Sequence, residues 1–175
     1  MKTKVLVLAG VFLIVGVFLA TAVMAAEGDK GNGRDLAAIR QATARYHRLD
    51  VALADGYEAL FDCTVNPAVP GEAMGQHYIN FGLKDDVLEL DKPEVLMYEP
   101  QPNGSMKLVG VEYVIFAEDW PESEPPQFLG HELHYKTAVG IHPAGPFYEI
   151  HAWVWKHNPN GMFADWNPNV SCQYQ

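Results

Sequence analysis

Six of the seven histidines lie between His77 and His157. Three polar residues interrupt apolar, strand-like runs. They are His77 in Gln-His-Tyr-Ile, Glu112 in Val-Gly-Val-Glu-Tyr-Val, and His151 in Glu-Ile-His-Ala-Trp. A carboxylate in the middle of a buried strand costs several kcal/mol or more unless something pairs with it. Glu112 therefore faces water or has a partner. Two imidazoles and one carboxylate from different strands form a donor set that suits zinc, iron or another divalent transition metal. His47, in the helical region, is a fourth candidate if its helix covers the same side. A hydrogen-bonded network without metal relieves the same groups, and a solvated sheet face would need no partner at all. On strict alternation Glu112 shares its side with Leu108, Gly110 and Val114, and the other side is apolar too, which favours burial.

A second group is His131, His134 and His142. The run His131-Glu132-Leu133-His134 is one residue short of H-E-x-x-H, whose spacing puts both histidines on one helix face. The neighbourhood reads as strand and loop, so a zinc protease is excluded. These histidines either bind metal at the surface or are solvated. No serine sits in a G-x-S-x-G elbow, and no glycine-rich phosphate loop occurs. The four tryptophans and eight tyrosines supply core first and the lining of an apolar pocket second.

The elements that must position these residues follow from periodicity. Leu36, Ile39, Tyr46, Leu53, Tyr57 and Leu60 recur at three- and four-residue steps, which predicts an amphipathic helix from Asp35 to about Leu60. Gly56 weakens it and marks either an early stop or a close backbone approach. Strands are expected at Met74–Asn80, Glu94–Glu99, Met106–Phe116, His131–Ala138 and Phe147–Lys156. Asn103-Gly104 signals a hairpin between the second and third. The fold class is α+β: an N-terminal amphipathic helix packed on a bent antiparallel sheet of about five strands, with the polar pocket beneath the helix.

The N-terminus has a short basic start, an apolar run from Val5 to Ala20 and a small-residue exit with Val23 and Ala25. These are the three parts of a secretory signal. The expected organisation is a signal peptide at 1–25, a flexible glycine-rich leader at 26–33 and a single α+β domain at 34–175. The alternative for the apolar run is an uncleaved anchor, since it approaches the roughly 20 residues that span a bilayer. Cleavage would leave an exported protein, periplasmic or extracellular, with no membrane association. The whole chain carries a formal charge of −10, and the first 25 residues contribute two lysines and no acid. The remainder is more acidic still, which excludes nucleic acid as a partner and tolerates cations. The only two cysteines, Cys63 and Cys172, are expected to pair in an oxidising compartment, since neither has the C-x-x-C spacing of a metal or redox site.

Several stretches together resemble a family of small exported bacterial proteins. They are 42–47, 54–57, Met74-Gly75-Gln76-His77-Tyr78-Ile79-Asn80, Lys92-Pro93-Glu94-Val95-Leu96, Leu108-Val109-Gly110-Val111-Glu112-Tyr113, and the ending from His151-Ala152-Trp153-Val154-Trp155 to Asn167-Pro168. The resemblance covers nearly all of the chain after the apolar run. It implies an exported bacterial protein and supplies no activity and no catalytic residue, but it includes His47, His77, Glu112 and His151. Three functions stay open: a binding protein for a divalent metal or small molecule, a metal-dependent enzyme using the same residues, and a structural or interaction protein with a hydrogen-bonded polar core.

Overall fold

The computed structural model describes residues 33–137 and 145–175. The expected signal peptide, most of the leader and His142 lie outside the described residues. The chain is helical over 33–43 (α1), tightens to a 3-10 turn at Ala44–His47, and continues as α2, Leu49–Ala54. The single helix expected to Leu60 is thus broken and ends early. Gly56 takes φ +96, a left-handed conformation that only glycine adopts cheaply. The chain then leaves as an extended segment.

Among the described residues nine strands follow: β1 Glu58–Ala59, β2 Thr64–Val65, β3 Ala73–Ile79, β4 Val95–Pro100, β5 Met106–Phe116, β6 Gln127–Phe128, β7 His131–Glu132, β8 His134–Lys136 and β9 Phe147–Ala152. Seven of them form one antiparallel sheet in the order β1-β3-β4-β5-β9-β8, with β2 also on β3; β6 and β7 pair separately. All of the described pairings are antiparallel. The β4–β5 hairpin turns at Asn103-Gly104, closed by Gln101 N–H to the Ser105 carbonyl at 2.9 Å.

Period-two alternation sends side chains to two faces. One face carries Tyr78, Leu96, Tyr98, Val111, Tyr113, Ile150 and Ala152, which form the main core with Ile39, Tyr46, Ala52 and Tyr57 of the helical region. Buried tyrosine hydroxyls there donate to backbone carbonyls: Tyr98 to Tyr46 at 2.6 Å, Tyr57 to Pro93 at 2.7 Å and Tyr113 to Leu90 at 2.8 Å. Each apolar ring is buried without orphaning its polar tip. Leu53, expected on this packed face, is 50% exposed.

The other face carries His77, Ile79, Val95, Met97, Glu112, Val114, Phe116, Phe147, Glu149 and His151. A bulge at Met97/Tyr98 makes Met97 oppose Gly110 and Tyr98 oppose Leu108. Leu108 is thereby moved into the helix-side core instead of standing beside Glu112. The C-terminal segment crosses this second face. Trp153 packs there with Met97, Val109 and Val170, and Asn167 bridges to Ala73. Cys63 and Cys172 form a disulfide, with a Cα–Cα distance of 5.5 Å.

Candidate functional site

Four strands build the candidate site on the face turned away from the helices. The register places Ile79, Val95, Glu112 and His151 in one cross-strand row. His77 stands in the next row, opposite Met97 and then Gly110. In a flat sheet β3 and β9 lie about 14 Å apart, three strand spacings. The rings of His77 and His151 nonetheless have centroids 6.1 Å apart, so both lean inward over Glu112. His77 Nε2 lies 3.5 Å from Glu112 Oε2. One donor atom from each of His77, Glu112 and His151 falls within 4.8 Å of the others. All three residues are buried.

The pocket expected beneath the helix is therefore on the opposite face of the sheet. His47 is correspondingly apart from the cluster. It is exposed, with its ring edge-on to Trp155 at 4.3 Å, and Trp155 Nε1 donates to Thr43 on α1. A helix packs on a sheet through its apolar face, and His47 lies at the rim of that contact. His131 is exposed and packs on Phe163 at 4.4 Å. His134, also exposed, pairs with Asp165 at 2.8 Å.

Three groups join the cluster that the sequence reading did not single out. Glu149 opposes Val114 and shares a face with His151 two residues on. Asp165 reaches in from the C-terminal segment, its Oδ1 3.8 Å from His151 Nδ1. Lys136 Nζ bridges them, 2.6 Å from Asp165 Oδ2 and 3.2 Å from Glu149 Oε1. Glu149, His151 and Asp165 form a second set of donor atoms with metal-binding spacing. Glu149-Ile150-His151 alternation could have flagged Glu149. Asp165 lies in a turn-rich segment without periodicity and gave no signal.

Electrostatics divide these carboxyls. Burial pushes Glu112 well above the usual carboxyl range; Glu149 and then Asp165 add to it, while Lys136 opposes. Burial also works against ionisation of Asp165, but His151 and Lys136 beside it win and hold its carboxyl far below the usual range. Burial works against the Lys136 ammonium, and Glu149 and Asp165 outweigh it, keeping the amine charged.

His151 is fully buried, and neither of its ring nitrogens has a hydrogen-bond partner among the described residues. Its ring stacks parallel to Trp153 at 5.9 Å. A neutral imidazole carries one N–H donor and one acceptor, and leaving both unmet inside a protein is costly.

A cavity of about 220 Å³ opens over the cluster. Its floor is the sheet: His77, Ile79, Val95, Glu112, Val114, Phe147 and Glu149. The half-buried rim is Leu60, Phe61, Thr64, Met74, Lys136 and Trp166. Phe61 lies over His77, with ring centroids 5.1 Å apart. His151 does not line the cavity, so a group held by the three side chains is reached from the cavity past His77 and Glu112.

No protein-family model, curated protein or solved structure matches this chain. Among the described residues no helix is long and apolar enough to cross a membrane.

Proposed function

We propose that this chain is an exported metal-binding protein that holds one divalent transition-metal ion between His77, Glu112 and His151. The observation that carries the reading is His151, whose buried ring makes no hydrogen bond among the described residues, with the Asp165 carboxylate no nearer than 3.8 Å, and which stands beside a carboxyl and a second imidazole. A cation gives such a nitrogen the partner that the protein withholds.

Charge supports the same reading. Three carboxyls (Glu112, Glu149 and Asp165) share the cluster with the Lys136 ammonium, and burial, then Glu149 and Asp165, raises the Glu112 pKa. A divalent ion would add positive charge where carboxyls are crowded. A tetrahedral zinc with bonds of about 2.0–2.1 Å sets its donors about 3.3 Å apart. His77 and Glu112 already stand at 3.5 Å, and a His151 nitrogen lies within 4.8 Å of both. Two imidazoles and a carboxylate also suit ferrous iron. Lys136, bonded to both Glu149 and Asp165, already supplies a positive charge at the second set of donors, which favours a single ion.

Export rests on the N-terminal sequence and on the Cys63–Cys172 disulfide. The cavity over the site favours a second reading, a metal-dependent enzyme whose open coordination position accepts a substrate. The test of metal binding is Glu112→Gln, which keeps the shape and removes the charge. Changes to groups that merely orient a metal ligand cost about 10–100-fold in affinity, so loss of this ligand is expected to cost at least as much. Equal zinc affinity in variant and wild type would contradict the assignment.

A further inference from the structure

The cavity has a chemistry of its own, and resting on the metal reading above, we infer that it receives a small molecule with one apolar ring, which ligates the bound ion through a nitrogen or sulfur donor.

Size is the first argument. An apolar cavity of about 150 Å³ is enough to take benzene, and this one is about 220 Å³. The walls away from the cluster are Leu60, Phe61, Ile79, Val95, Val114 and Phe147, so an apolar body has hydrocarbon and aromatic surface to cover.

Direction is the second. Of the three proposed ligands, His77 and Glu112 line the cavity and His151 does not. Trp153 stacks behind His151 and blocks that side. The cavity is thus the open approach for an external ligand to such an ion.

The experiment uses the cobalt(II)-loaded protein, whose visible absorption reports its ligands, titrated with imidazole and with 4-phenylimidazole. Both present the same donor, and only the second carries the ring. Full burial of a phenyl ring corresponds to roughly 10- to 100-fold in affinity, so 4-phenylimidazole is expected to bind tighter by that factor. Filling the cavity with Val114→Phe, or from the half-buried rim with Met74→Trp, is expected to abolish the difference while cobalt affinity is kept. Equal affinity for the two probes on cobalt-loaded wild type overturns this inference and leaves the metal site standing. A protein that takes up no cobalt overturns both. A preference that survives in a folded, cobalt-binding Met74→Trp variant places the ring elsewhere and also overturns it.

Discussion

Glu112 on β5 and His151 on β9 are directly opposed across the sheet, on the face that the helices do not cover. Their proximity is a consequence of strand register. A slip of one residue in either strand would turn its member of the pair to the helix-side face, where Tyr113 and Ile150 stand. The site is thus built on the most regular part of the molecule, and only Asp165 and the rim residues Leu60, Phe61 and Trp166 come from irregular segments. A rigid floor with an adjustable rim suits a site that must hold an ion and admit a ligand.

Glu94 gives a pH prediction away from the site. It is 3% exposed and accepts from Val114 N–H at 3.0 Å. Burial raises its carboxyl to about 8, and Asp85 and Glu89 push the same way against the backbone hydrogen bonds. The unfolded chain releases this proton near the ordinary value of 4.5, whereas the folded protein keeps it to about 8. The folded state therefore binds more protons in that window, and the Glu94 contribution to stability falls as pH rises from 4.5 to 8. Glu94→Gln keeps an acceptor for Val114 and removes the proton. Its stability relative to wild type is expected to rise by up to about 1.4 kcal/mol per pH unit through that window. Denaturant unfolding at several pH values checks this; parallel curves for the two proteins would mean that Glu94 is ionised in the fold.

Gly75 gives a packing prediction. It lies two residues before His77 with φ +91, and a Cβ there would stand 2.5 Å from the Tyr98 carbonyl oxygen. Backbone cannot yield as a flexible side chain can. Gly75→Ala combines left-handed strain with overpacking, and a loss of about 2–4 kcal/mol is expected. Because β3 must shift to relieve the clash, metal affinity should fall with stability. A variant within about 0.5 kcal/mol of wild type would show that β3 is looser than its pairing implies.

The disulfide ties the cavity rim to the C-terminus. Cys63 lies between Phe61 and Thr64, which line the cavity, and its partner is 109 residues away. A loop of that length is worth about 4–5 kcal/mol on the chain-entropy account. Unfolding with and without reductant should differ by several kcal/mol, on that same estimate. Unchanged stability after verified reduction would contradict the expected role.

The strands were legible because their alternation is regular. Met106–Phe116 has the bounds that its apolar run predicts, and Asn103-Gly104 makes the expected turn. His77, Glu112 and His151 were visible for the same reason, as polar interruptions of an apolar pattern. The sheet face they occupy was not visible, since both faces of β5 are apolar and periodicity alone does not say which one a helix covers. The β4–β5 bulge that moves Leu108 was equally hidden. The two-residue strands β1 and β2 are too short to carry a pattern, and Leu53 continued a helical periodicity that the 3-10 turn at Ala44–His47 had already interrupted.

The most direct test of the account is calorimetric titration of zinc(II) into tag-free, chelator-treated protein, with His151→Ala alongside. The account predicts one ion per chain in the wild type and affinity at least about tenfold lower in the variant, the lower bound set by disturbing a ligand's support. No heat of binding in the wild type, or undiminished affinity in folded His151→Ala, would contradict it and would leave His77, Glu112 and His151 as a polar network within the core.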